Sequence, residues 1–142
     1  MGKILIVDDD ISIAQLLSDA LEDEGFETVV KNDGKSAYEY IKENQNDIAL
    51  ITLDIMMPDI DGIRLCQFIR NSVDCPIIFV SAKSEAGDAV YGLENGADDY
   101  VTKPFSPGVL VKRVEALLKR SQGSSENKSD DIISIDGLVI DI

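Results

Sequence analysis

Short apolar runs of high strand propensity recur along the chain at 3–7 (KILIV), 27–31 (ETVVK), 48–53 (IALITL), 76–80 (PIIFV) and 99–102 (DYVT). Between them apolar residues recur three and four positions apart, which is the period of a helix with one buried face. Alternation of the two patterns predicts repeated βα units, and hence a parallel sheet covered by helices on both faces. The first helix is expected over 11–24, with Ile13, Leu16, Leu17, Ala20 and Leu21 on its inner face and Gly25 as its stop. The others are expected over 35–44, over 61–71 with Asp61-Gly62 at its cap, over 84–95 ending at Gly96, and over 106–120 opening at Ser106-Pro107.

Beyond Arg120 the pattern breaks. Residues 121–131 (SQGSSENKSDD) contain no apolar side chain and read as a solvated linker. Residues 132–142 (IISIDGLVIDI) carry two apolar runs around Asp136-Gly137, a hairpin dipeptide. Eleven residues are too few for an independent sheet, so the expectation is a chain cut just inside a second domain.

The chain has 142 residues, 44% of them apolar, enough for one cored domain of about 120 residues without disulfides or structural metal. Its 27 acidic against 13 basic residues give a net charge of −14, which disfavours direct binding to nucleic acid or an anionic membrane by this segment. Histidine is absent, so Ser-His-Asp and Cys-His catalysis, His-ligated zinc and a phosphohistidine of the chain's own are excluded. Cys66 and Cys75 fit no CxxC pair and read as reduced core residues. No window nears a membrane span and no leader pattern opens the chain, so a soluble, cytoplasmic protein is expected.

In an open parallel sheet, ligands bind beyond the carboxyl ends of the strands. Asp8 and Asp9 follow the first run, Asp54 the third, Ser81 the fourth and Lys103 the fifth. Three carboxylates in one crevice repel unless a cation joins them, and an all-oxygen donor set favours Mg²⁺. A partial carboxylate cage of this kind suits phosphoryl chemistry, in which one Asp attacks phosphorus while Lys103 neutralises the transferring oxygens and Ser81 donates a hydrogen bond.

The segments KILIVDDD, LITLDIMMPDIDG, PIIFVSA and GADDYVTKPF, in this order, resemble the receiver domain of two-component response regulators over residues 1–120. The resemblance implies a flavodoxin-like (βα)5 fold, a doubly wound five-stranded parallel sheet of order 2-1-3-4-5. It makes Asp54 the phosphoacceptor, with Asp8, Asp9 and Asp54 as Mg²⁺ ligands beside the Met56 carbonyl. Ser81 takes the place of the hydroxyl that senses the phosphoryl group, Lys103 that of the family's lysine, and Tyr100 that of the aromatic switch. A cis Lys103-Pro104 peptide is also implied, and Asp10, where the family often has Glu, either adds to the field at the metal or caps the first helix.

The donor implied is a phosphohistidine on a separate sensor kinase. GLENGADDYVTKPFSP and LVKRVEALLKR are similar to the winged-helix transcription-factor branch, whose activated receivers form homodimers through the fourth helix, fifth strand and fifth helix. Asp98 with Arg120 and Asp99 with Arg113 match two of its intermolecular ion pairs, while Ala89 and Val109 stand where a third would be. DNA contact is implied only through the missing C-terminal domain, whose opening strands 132–142 resemble. The rival reading is a haloacid-dehalogenase-type phosphatase using Asp8-x-Asp10, which leaves Asp54 without a task. Gly34-Lys35-Ser36 lacks the earlier glycine of a P-loop, and three aspartates after the first strand would repel a flavin phosphate.

Overall fold

The computed structural model describes residues 2–82, 96–103 and 106–130, with 81–82 and 121–130 described as backbone. The predicted helix 84–95, Ala89, the Lys103-Pro104 peptide and the tail 132–142 lie outside the described residues. Five strands, β1 (Lys3–Val7), β2 (Thr28–Lys31), β3 (Ile48–Asp54), β4 (Ile77–Ala82) and β5 (Asp99–Lys103), form one sheet. Every pairing is parallel and the order is β2-β1-β3-β4-β5, as expected.

Side chains alternate along each strand, so one strand feeds two cores. Leu5, Val7, Ile51, Leu53, Ile77 and Phe79 point to one face and pack with Ala37, Ile41, Leu65, Cys66 and Ile69. The latter belong to α2 (Gly34–Glu43) and α3 (Gly62–Ile69). Ile4, Ile6, Leu50, Ile78, Val80 and Val101 point to the other face, against Ala14, Leu17 and Leu21 of α1 (Ile11–Asp23) and Leu110, Val114 and Leu117 of a C-terminal helix (Pro107–Asp130). Each fully buried Leu, Ile or Phe contributes about 1.5–3 kcal/mol over its exposed state, and these two layers hold the strand ends in place. Both cysteines are free, Cys66 fully buried and Cys75 partly so; burial raises both thiols, Cys75 to about 11, which keeps them protonated.

Helix starts follow local chemistry. Asp10, Asp33 and Asp61 each accept a hydrogen bond from the third residue onward, from Ile13, Ser36 and Arg64 nitrogens at 3.1, 2.7 and 2.9 Å. Gly25 ends the stretch after α1 at φ +93°, a conformation that disfavours side-chain-bearing residues. Three strands run one or two residues further than expected: Asp54 and Lys103 are the last residues of β3 and β5, and Ser81 lies inside β4. Ladder bonding continues through these polar positions because hydrogen bonding, unlike burial, is indifferent to the side chain.

The larger departure is the end of the C-terminal helix, which continues from the expected end at Arg120 through Asp130, into the residues read as a solvated linker. Once a helix is nucleated each added residue gains a hydrogen bond at the cost of one residue's freedom, and Gln122, Glu126 and Lys128 are good helix formers.

Candidate functional site

β1 and β3 are adjacent, with Val7 opposite Leu53, so the next residues, Asp8 and Asp54, come level at the carboxyl edge of the sheet. Both are buried, at 1% and 4% exposure, whereas Asp9 faces solvent. One carboxylate oxygen from each of Asp8, Asp9 and Asp54 lies within 4.8 Å of the others. Lys103 ends β5 on the same face as Val101 and reaches across: its Nζ stands 3.3 Å from Asp8 Oδ2 and 3.6 Å from Asp54 Oδ1. The structure therefore brings together four groups that the sequence places at the ends of three strands.

The local electrostatics are unbalanced. Three carboxylates face one ammonium, and Asp8 Oδ2, though buried beside Lys103, receives no hydrogen bond. Burial, then the charge of Asp8 and a hydrogen bond with Asp9, push the Asp54 carboxyl up to about 8, against the opposing pull of Lys103. For Lys103, burial acts to lower the pKa, but the charges of Asp8 and Asp54 outweigh it and the ammonium is held above its usual range. A buried Asp8 oxygen that receives no hydrogen bond, an all-oxygen donor set and more carboxylates than the single ammonium can balance fit a hard divalent cation.

The loop after β3 is folded tightly back. Gly62 N donates to Ile55 O at 2.7 Å, and a Cβ at Gly62 would collide with the Asp54 carbonyl, so this close approach demands glycine. Asp61 caps α3, and exposed Met56 lies in the loop directly after the acid-bearing strand. Asp10, left open between two roles, caps α1 through its side chain, while its own N–H donates to Asp8 Oδ1 at 2.9 Å.

The other expected residues are placed as follows, Ser81 by its backbone alone. Ser81 pairs in register with Thr102, on β4 next to β5. Tyr100 is half-buried against the core layer of α2 and α3. Asp99 and Arg113 form an ion pair within the chain, Nη1 lying 2.9 Å from both carboxylate oxygens. Asp98 is also engaged within the chain: its Oδ2 accepts from Ile77 N at 2.8 Å and lies 3.4 Å from Arg70 Nη1. Arg120 and Val109 are exposed on the C-terminal helix.

Three residues that the sequence reading passed over tie loops together, Asn32 and Asp59 at the carboxyl edge of the sheet beside the site and Arg70 at its amino edge. Asn32 Nδ2 donates to Asp8 O at 2.9 Å, and Asp59 accepts from Gly34 and Lys35 nitrogens. Arg70 donates to the carbonyls of Val73, Cys75 and Gly96, fastening α3 to both ends of the segment leading into β4 and β5. The signal available for Asp59 was a second acid in Pro58-Asp59-Ile60-Asp61-Gly62, of which only Asp61 was used as a cap.

A doubly wound parallel sheet whose carboxyl edge gathers three aspartates and a lysine defines a flavodoxin-like fold with an acidic cluster that could hold a cation. The profile of the response regulator receiver domain family matches residues 4–115, and the chain belongs to that family. It is 43% identical over 140 residues to the DNA-binding response regulator MtrA of Mycolicibacterium smegmatis and 44% identical over 144 residues to the transcriptional regulatory protein SrrA of Staphylococcus aureus. Each alignment covers 99% of this chain and 59% of the relative, so the chain spans about three fifths of the length of these proteins. Among solved structures, the receiver domain of Francisella response regulator 1452 superposes with a TM-score of 0.77 at 41% identity, covering 85% of this chain and 99% of that one. A two-component response regulator from Clostridium difficile gives 0.79 at 35% identity, covering 85% and 98%. The phosphatase reading finds no support, since its second acid, Asp10, is a helix cap and the family match assigns the chain elsewhere.

Proposed function

We propose that this chain is a phosphorylation-activated switch in which Asp54 takes a phosphoryl group from a sensor histidine kinase. The observation that carries the reading is a buried Asp54 with Asp8, Asp9 and Lys103 converging on it at the carboxyl edge of the sheet. Asp8, Asp9 and Asp54, with the Met56 carbonyl, would hold Mg²⁺. When bound, the cation favours ionised Asp54 and offsets charge on the transferring oxygens.

An oxygen of Asp54 attacks phosphorus in line as the phosphorus–nitrogen bond of a phosphohistidine breaks; the imidazole nitrogen keeps the electron pair and an acyl phosphate forms. Lys103, already 3.6 Å from Asp54 Oδ1, pairs with the phosphoryl oxygens that replace it. Ser81 donates its hydroxyl to another, and Tyr100 follows inward, so occupancy of Asp54 is transmitted to β5 and the C-terminal helix. The same groups, with water as the attacking species, return the site to carboxylate and phosphate.

The activated receiver forms a homodimer through the predicted helix 84–95, β5 and the C-terminal helix, with Asp98–Arg120 and Asp99–Arg113 pairs between copies and Ala89 and Val109 as an apolar contact. Residues 121–131 then connect to a DNA-binding domain opening at 132–142, in keeping with the names of the relatives. Such a regulator works in the cytoplasm; among the described residues no helix is long and apolar enough to cross a membrane.

Treatment with acetyl phosphate and Mg²⁺, followed by borohydride reduction of acyl phosphate and peptide mapping, tests the acceptor. Reduction confined to residue 54 is expected. A mark on Asp8 instead would overturn the assignment and revive the phosphatase chemistry.

A further inference from the structure

We propose that Asp59 is a positioning residue for the acceptor site, and that with Asn32 it makes the β2–α2 turn a brace between the two acid-bearing strand ends. The inference rests on the reading of Asp8, Asp9 and Asp54 as a Mg²⁺ site and adds to it a device that sets the site's geometry. Asp59 Oδ1 accepts from Gly34 N at 3.0 Å and Oδ2 from Lys35 N at 2.9 Å, two bonds spanning 25 and 24 residues of sequence. The first N–H groups of a helix have no partner within it. Asp33, the local cap of α2, takes Ser36 N at 2.7 Å and, through its carbonyl, Ala37 N at 3.2 Å. The two remaining donors are thus taken by a carboxylate from the loop after β3.

That loop carries Met56. Its ends are pinned by the Gly62 N–Ile55 O bond and by the Asp61 cap of α3, and Asp59 pins its middle. Contact is close as well as polar: a Cβ at Gly34 would overlap Ile60 Cγ2, so loop and helix start lie against each other without slack. The opposite arm of the brace is Asn32, whose Nδ2 donates to Asp8 O at 2.9 Å, next to the ladder bond from Asp8 N to Lys31 O at 3.1 Å. Residues 31–35 therefore bond on one side to the main chain bearing Asp8 and on the other to the loop leaving Asp54. The bonds from Gly34 and Lys35, opposed only by slight burial, hold the Asp59 carboxyl below its usual range, so it is a full anion facing the positive end of α2.

Groups that orient metal ligands without touching the metal typically change affinity 10–100-fold when removed. The test measures Mg²⁺ affinity of the 142-residue chain by calorimetry and, in metal-free protein, amide hydrogen exchange over 55–61, for wild type, Asp59→Ala, Asp59→Asn and Ser18→Ala. Asp59→Ala is expected to weaken Mg²⁺ about tenfold and to speed exchange in the loop by a similar factor. Asp59→Asn, which keeps one acceptor oxygen, is expected to fall between. Ser18→Ala removes a part-buried hydrogen bond to Thr28 outside the brace, and should lower the melting temperature while leaving both readouts at wild-type values. Wild-type values for Asp59→Ala, or equal losses in Ser18→Ala, would overturn the proposal. Should the wild type bind no Mg²⁺, the metal reading fails, and the exchange measurement alone still decides whether Asp59 holds the loop.

Discussion

Asp54 has two opposed requirements: burial keeps water from the reacting oxygen, yet burial beside Asp8 and Asp9 also favours the protonated, non-nucleophilic carboxyl. Its folded value of about 8 lies above the unfolded value of 3.8, so between these limits the folded chain binds more protons than the unfolded one. Stability of the metal-free chain therefore declines as pH rises through that window. Asp54→Asn, which cannot ionise, should be more stable than wild type in a chelator, with a gain near zero at acid pH and on the order of 5 kcal/mol by the top of the window. Saturating Mg²⁺ should shrink the difference. Thermal unfolding across the pH range checks this, and a gain independent of pH would show that Asp54 is not the strained group. Asp8, Asp9, Asp54 and Lys103 were legible in the sequence because a residue at the end of an apolar run must emerge at the sheet edge. Asn32 and Asp59 were not, because their partners are main-chain groups about 24 residues away, fixed only when two loops pack.

The elements were legible through their periods, and their ends were less so. A run of strand propensity locates β3, but only the ladder with β4 extends it to Asp54. Likewise nothing in the polar stretch after Arg120 signals burial, yet the C-terminal helix carries on, since helix propagation does not require an apolar face. Tight loop packing gives a sharp expectation: Gly62→Ala drives a methyl group into the Asp54 carbonyl and should cost about 3 kcal/mol in denaturant unfolding, with loss of phosphoryl incorporation. An unchanged midpoint would contradict the described loop. Pairing between Arg113 and Asp99 within one chain means that a dimer using the same residues exchanges one ion pair for another. Arg113→Ala should accordingly change monomer stability by less than about 1 kcal/mol, because the pair is partly exposed. It should still weaken the beryllofluoride-activated dimer in sedimentation; a mutant dimerising like wild type would remove Arg113 from the interface.

At the scale of the whole molecule, the two-layered core explains how a change at one edge reaches a distant surface. Phe79 and Val80, adjacent in β4, pack into opposite layers, and β5 joins that strand to the C-terminal helix. To move such a switch from about 1:99 to 99:1, phosphorylation must favour the active arrangement by about 5.5 kcal/mol, which exceeds any single exposed ion pair and calls for rearranged packing. The central claim is that a hard cation beside Asp54 turns a buried, protonated carboxyl into a phosphoryl acceptor. Intact-mass analysis of the chain after acetyl phosphate, with Mg²⁺ or with chelator, for wild type and Asp54→Ala, tests it most directly. Gain of one phosphoryl group by wild type in Mg²⁺ alone is the result predicted. Equal incorporation by Asp54→Ala, or by wild type in chelator, would contradict it.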